Sequence, residues 1–194
     1  MSKSKKVGLL FGSFNPLHVG HMILANYFVE ETDLEEIWFV VSPQNPFKES
    51  KNLLSELHRY AIIDRTIDCD SRFKVSNIEF DMPRPSYTID TLAVLTEKYP
   101  QHQFSLIMGS DNLQHFHKWK NAEVIMEHYR LLVYPRKGFD VPQQYQGGQV
   151  VVVDAPEVEL SASYIRNAIK VGKDVSWFMP DGGRQYVQEM NFYK

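Results

Sequence analysis

Apolar and polar positions follow two different rhythms along the chain. Short runs of β-branched and aromatic residues recur at positions 7–11, 37–41, 73–80, 104–108, 131–134 and 150–153, and most intervals between them space their apolar residues three or four apart. Uninterrupted apolar runs fit strands covered on both faces, whereas three-to-four spacing marks a helix with one buried stripe. Helices are predicted roughly over residues 20–31, 55–69, 87–98, 122–129 and 163–171, with Gly172 placed to end the last of them. Strands alternating with helices in this order predict an α/β fold, doubly wound, with a mostly parallel sheet and helices on both faces.

The stretch 135–148 is rich in Pro, Gly and Gln and reads as a long exposed connection. Beyond the last strand, residues 161–194 have helical pattern at both ends and carry Trp177, Phe178, Tyr186, Phe192 and Tyr193, which are expected to pack back on the sheet. No repeat, low-complexity tract or linker divides the chain. Residues 1–160 are therefore expected to form the core, and 161–194 a small C-terminal helical subdomain packed on it. Ligands of open sheets bind beyond the carboxyl ends of the strands, so the residues that follow each strand are the ones to read for chemistry.

Composition narrows the classes. With 43% hydrophobic and 23% charged residues the chain is ordinary for a globular protein, and nothing in it approaches the roughly 18 uninterrupted apolar residues of a membrane span. The basic start is followed by an apolar run over 7–11 alone, too short for the core of a secretory signal peptide. A single cysteine, Cys69, excludes an internal disulfide framework, suits a cytoplasmic location, and reads as a partly buried small hydrophobe. Lys plus Arg number 21 against 24 Asp plus Glu, so the basic excess of a nucleic-acid binder is missing and any anion site must be a local cluster of donors.

Such a cluster follows the first strand, in Gly12, Ser13, Phe14, Asn15, Pro16, Leu17, His18, Val19, Gly20 and His21. Glycine at a strand exit lets backbone N–H groups approach a ligand, and the helix that begins there adds unpaired N–H groups and the positive end of its dipole, a corner that favours phosphate. His18 and His21, three positions apart, project to one side of a helix and can donate to phosphate oxygens. The same pair could be zinc ligands, but no third ligand with matching spacing is evident. A dinucleotide-binding oxidoreductase would need a Gly-x-Gly-x-x-Gly turn, which is absent after this strand.

The stretch GSFNPLHVGH resembles the H-x-G-H signature of the nucleotidyltransferase superfamily, and the chain as a whole is similar to the bacterial nicotinate-nucleotide adenylyltransferases. That resemblance implies a Rossmann-like core and places further motifs after later strands. Pro43, Pro46 and Lys48 match the family's P-x-x-P-x-K/R loop, which implies a phosphate contact for Lys48; Phe47 stands where the family often has His. Ser86, Tyr87, Thr88, Asp90 and Thr91 match P-S-Y-T-x-D-T at a helix start, where backbone N–H groups would hold the carboxylate of nicotinate. Without the resemblance, Ser86 and Thr88 read as helix caps. Gly109, Ser110 and Asp111 match the G-A/S-D turn, whose carboxylate would accept from an adenosine ribose, and Trp119 matches the tryptophan of L-x-x-W, with Phe116 in place of leucine, and would stack on the nicotinate ring. Arg136 sits where the family has a basic residue facing substrate phosphate. Ser161, Ser163, Ile165 and Arg166 match I-S-S/A-T-x-I-R, a place for the β- and γ-phosphates of ATP, with Ser163 replacing Thr.

The implied activity is transfer of AMP from ATP to nicotinate mononucleotide. His18, His21, Lys48 and Arg166 would be the catalytic groups. Gly12, Ser13, Phe14, Gly109, Asp111, Ser163 and Ile165 would join His18, His21 and Arg166 on ATP, while Asn15, Lys48, Tyr87, Thr88, Trp119 and Arg136 would take the acceptor. Mg²⁺ is expected to arrive with ATP. The same cradle would serve the nicotinamide-mononucleotide and pantetheine-phosphate adenylyltransferases, or a noncatalytic nucleotide-binding module. A homo-oligomer is compatible with the sequence, which does not determine the oligomeric state.

Overall fold

The computed structural model describes residues 4–43, 53–145 and 147–194. Six strands, β1 (Lys6–Gly12), β2 (Glu36–Val41), β3 (Phe73–Ser76), β4 (Gln103–Gly109), β5 (Arg130–Tyr134) and β6 (Val150–Val152), form one sheet in the order β3-β2-β1-β4-β5-β6. Every pairing is parallel. The order reverses direction between β1 and β4, so the loops leaving these two central strands diverge and open a crevice at their carboxyl ends.

Alternation along the strands explains why helices cover both faces. Leu10, Ile37, Phe39, Val41, Ile107 and Leu132 point to one side, where they meet α1 (Val19–Glu31) through Leu24, Ala25 and Phe28, and α2 (Glu56–Ile67) through Ile62, Ile63 and Ile67. Their neighbours Leu9, Trp38, Val40, Leu106, Met108, Leu131 and Val133 point to the other. There they meet α3 (Thr88–Lys98), the short α4 (Ser110–Gln114) and α5 (Ala122–His128) through Leu92, Leu95, Leu113 and Ile125. The helices of the tail, α6 (Ala162–Lys170) and α7 (Asp181–Glu189), bury Ile165, Ala168 and Val187 in the first of these clusters. Gly172 ends α6 at φ +73, with Lys173 N–H donating to the Ala168 carbonyl and Gly172 N–H to that of Ile169, the two bonds of a Schellman cap.

Several sequence expectations need correction. The third strand stops at Ser76 instead of reaching Phe80, because residues 77–82 turn, with Phe80 N–H on the Asn77 carbonyl and the Glu79 side chain drawn inside. Helix α4 and the following 3-10 turn Phe116–Lys118 have too few residues to show a period. The connection 135–148 is not wholly exposed, since Tyr145 is buried edge-on against Phe116. Trp177 does not pack on the sheet; it is 89% exposed, while Phe178, Tyr186, Phe192 and Tyr193 do pack against the core. Cys69, just past the end of α2, is exposed rather than partly buried.

Candidate active site

The loop between β1 and α1 is built around aromatic packing. Phe14 takes φ +44, a left-handed conformation that bulky residues rarely adopt, and its ring packs edge-on against Phe39 and His21. A Cβ on Gly12 would lie 2.8 Å from that ring, so this glycine makes room for Phe14 rather than for a ligand. Gly20 does the same for His18, whose ring would stand 3.1 Å from an added Cβ; hence the glycine between the two histidines. Phe14 is itself buried, so its expected contact with ATP is confined to its backbone.

His18 caps α1 and His21 lies one turn in, and their rings sit 3.8 Å apart, centroid to centroid. The Nδ1 of His21 accepts the backbone N–H of His18 at 3.3 Å, which leaves the proton of the neutral ring on Nε2 as an outward donor. Both rings are held neutral. Burial, helped by the positive charge of Arg136, lowers the His18 pKa to about 4. Burial, then the His18 and Arg136 charges, holds His21 well below the usual histidine range. The buried Nδ1 of His18 makes no hydrogen bond among the described residues.

Arg166 approaches from α6. Its Nη1 donates to the Asn15 carbonyl at 2.7 Å and its Nη2 to Ser163 Oγ at 3.0 Å, so the C-terminal motif lies on the β1–α1 loop, as the motif reading requires. Ile165 behaves otherwise: its side chain is fully buried and its N–H is bonded to the Ser161 carbonyl, so it belongs to the core. The helix cap is Ser161, which accepts from Tyr164 N–H, leaving Ser163 exposed.

At the exit of β4, a Cβ on Gly109 would fall 2.3 Å from Asp111 Oδ1 and 3.1 Å from Arg136 Cγ. Arg136 therefore stands with Asp111 and the histidines at the crevice. Ser110 Oγ accepts the Arg136 N–H at 2.9 Å, and the guanidinium lies over the Tyr134 ring. Asn15 is also engaged within the protein: its Oδ1 accepts from Tyr193 O–H at 2.7 Å and from Leu54 N–H at 3.3 Å, and its carbonyl serves Arg166.

Tyr87 and Thr88 stand at the start of α3, to which Lys120, the neighbour of Trp119, is tied. Tyr87 precedes the helix and Thr88 begins it. Lys120 places its ammonium 5.0 Å from the centre of the Tyr87 ring and pairs with both oxygens of Asp90. Trp119 leans on the buried Phe116, with ring centres 5.3 Å apart. Ser86 is no cap; its hydroxyl and that of Thr91 donate to the buried Glu79, both at 2.8 Å. Lys48 lies outside the described residues. A shallow concavity of about 400 Å³ between the end of α1 and β5–β6, lined by Tyr27, Asp33, Arg130 and Val152 among others, contains none of these candidates. Sequence reading missed the buried polar groups Glu79 and Arg59, and the bond by which the partly buried Tyr193 braces Asn15, each within an otherwise ordinary helical or aromatic pattern.

A parallel sheet with two neutral imidazoles, two arginines and a helix start gathered at its central crevice defines a phosphate-handling α/β protein of the nucleotidyltransferase type. The model of the cytidylyltransferase-like family matches residues 9–168. A protein of Christiangramia forsetii named "probable nicotinate-nucleotide adenylyltransferase" is 47% identical over 98% of this chain and 100% of its own, and one of Cytophaga hutchinsonii with the same name is 46% identical over 97% and 98%. Among solved structures, Plasmodium falciparum nicotinic acid mononucleotide adenylyltransferase complexed with NaAD superposes with a TM-score of 0.80 over 97% of both chains; at 19% identity it bears on the fold alone. The chain belongs to the cytidylyltransferase-like family and, within it, to the nicotinate-nucleotide adenylyltransferases.

Proposed function

We propose that the chain transfers the adenylyl group of ATP to nicotinate mononucleotide, giving nicotinate adenine dinucleotide and pyrophosphate, a step of NAD biosynthesis in the cytoplasm. The observation that carries this reading is the meeting of the histidine pair with Arg136, and of Arg166, which also holds Ser163, with the same loop. The acceptor phosphate is already ionised at neutral pH, so its oxygen can attack the α-phosphorus without a general base. Catalysis then consists of holding the two substrates in line and stabilising charge on the α-phosphate and on the departing pyrophosphate. His21 donates through Nε2–H and His18 stands beside it, both uncharged, so each acts by hydrogen bonding to charge that develops in the transition state. Arg166 and Ser163 take the β- and γ-phosphates, Asp111 the ribose, and Lys48 and Arg136 the phosphate of the acceptor, Arg136 beside the histidines.

The N–H groups at the start of α3, with Tyr87, Thr88 and Trp119, take the nicotinate moiety. Cationic and N–H donors suit phosphate oxygens and not a metal ion. Among the described residues no three His, Cys, Asp or Glu side chains gather in a metal-binding group. Mg²⁺ is expected to arrive with ATP, held by its phosphates.

The test is pyrophosphate release from MgATP with nicotinate mononucleotide, nicotinamide mononucleotide and phosphopantetheine in parallel. Nicotinate mononucleotide is expected to give the highest kcat/KM. A preference for either other acceptor replaces the assignment, and release with none of them removes it.

A further inference from the structure

Arg59, on α2, has no accessible surface and is one of the largest fully buried side chains of the protein. Among the described residues no carboxylate forms an ion pair with it. Its donors go to four backbone carbonyls instead: Nε to Leu54 at 2.9 Å, Nη1 to Ser13 at 2.6 Å and Ser42 at 2.9 Å, and Nη2 to Pro43 at 3.2 Å. The Glu56 charge favours the guanidinium without bonding to it; burying it with no directly paired carboxylate among the described residues is costly, and a core helix position is filled more cheaply by leucine. What the charge gains is a hold on three separate segments at the carboxyl end of the sheet: the β1–α1 loop, the exit of β2, and the approach to α2. Leu54 closes the arrangement, since its N–H donates to Asn15 Oδ1 while its carbonyl accepts from Arg59.

The bond to Ser13 has a directional consequence. In a trans peptide the C=O and N–H point opposite ways. Drawing the Ser13 carbonyl onto Arg59 therefore turns the Phe14 N–H away from the core, toward the open side of the loop. Phe14 holds its left-handed conformation between that peptide and the Asn15 bonds, and such a conformation persists only where its surroundings over-determine it. We propose that Arg59 is a positioning residue for adenylyl transfer: through the Ser13 carbonyl it fixes the peptide that precedes Phe14, and with it the shape of the phosphate-binding loop that His18 and Arg166 complete. The guanidinium touches no substrate and acts only through the loop.

This inference rests on the adenylyltransferase reading. Its test uses whichever acceptor the wild-type chain turns over, so a wrong acceptor does not disturb it, whereas a wild type inactive with all three fails the functional reading first. Arg59→Lys and Arg59→Met are assayed well below their melting temperatures, with kcat expressed per ATP-binding site counted by equilibrium titration, so that an unfolded fraction is not mistaken for slow turnover. Lysine keeps the charge but its compact ammonium cannot span four carbonyls, and methionine keeps only the bulk. Arg59→Lys is expected to lose about tenfold to a hundredfold in kcat, the scale of a misplacement near 1 Å, while the KM for ATP changes less than about threefold. Arg59→Met should lose at least as much. If Arg59→Met does not fold, Arg59→Lys decides the matter. Wild-type kcat per binding site in folded Arg59→Lys, with a lowered melting temperature alone, would reduce Arg59 to a stabilising residue and overturn the proposal.

Discussion

Two imidazoles 3.8 Å apart beside an arginine cannot both carry charge without strong repulsion, and their burial settles them as neutral donors. The consequence for stability has a definite sign. The pKa of His18 lies at about 4 when folded, below its ordinary 6.5, so between these values the unfolded chain binds the extra proton. Stability is fully present above pH 6.5 and is lost as pH falls toward 4, by about 3 kcal/mol from His18 alone. For a chain of this length that corresponds to a melting temperature lower by roughly 6–12 °C. A thermal melt of the ligand-free protein from pH 8 to pH 4 measures it, and His18→Asn, with no titrating ring at this position, should show a distinctly shallower decline. The chemistry gives a separate expectation: His18→Ala should lower kcat by about a hundredfold or more, the scale for one transition-state donor, in a protein that remains folded by circular dichroism. Turnover near wild type in that variant would remove His18 from the catalytic set.

The start of α3 illustrates how an element is aimed. Its first turn carries no side-chain cap; instead Glu79, drawn in from the turn after β3, accepts from Ser86 on one oxygen and Thr91 on the other. Burial raises the Glu79 pKa in spite of these bonds, a sign that the carboxylate is held against a desolvation cost. Glu79→Ala should therefore leave the Ser86 hydroxyl without this partner and Thr91 with only its longer bond to the Tyr87 carbonyl, cost about 1–3 kcal/mol by chemical denaturation, and raise the KM for the acceptor more than that for ATP. Equal changes in both constants would mean that Glu79 stabilises the fold without aiming the helix. None of this was legible in the sequence, where positions 73–80 read as one continuous strand. Elements whose apolar residues fill both faces, such as β2 with all six residues buried, announce themselves. A segment interrupted by a buried carboxylate does not, because its pairing is tertiary. The motif residues after β1 and β4 were legible for the same reason as the strands, since strand exits are fixed by the sheet. The nearness of Arg136 to the two histidines was not legible, because position along a motif does not tell which wall of the crevice a long side chain follows.

On the scale of the whole molecule, the tail is tied to the crevice at several points. Arg166 and Tyr193 both bond to Asn15, the Val19 N–H at the start of α1 donates to the Phe178 carbonyl, and α7 lies against α2, the helix that carries Arg59. The contact between α7 and α2 is close enough to exclude a side chain. A Cβ on Gly182 would stand 2.0 Å from the Arg65 carbonyl oxygen and 2.8 Å from its carbon, and one on Gly183 would stand 3.0 Å from the carbonyl oxygen of Ile62. Backbone cannot swing aside as a side-chain end can, so Gly182→Ala must move one helix relative to the other. The cost expected from such overpacking is about 1–3 kcal/mol, seen as a melting temperature lower by roughly 2–12 °C. Displacing α7 also pulls on the segment that follows it and carries Tyr193, and so on Asn15 and the loop it braces. The variant is therefore expected to lose kcat/KM even at temperatures where it is fully folded, although Gly182 itself contacts no candidate site residue. Tyr193→Phe separates the two effects: it keeps the ring and the packing, removes the hydrogen bond to Asn15 Oδ1, and should cost about 1 kcal/mol or less while lowering kcat/KM in the same direction. If Gly182→Ala loses stability but turns over at the wild-type rate when folded, the tail supports the core without shaping the site, and the coupling between them is absent.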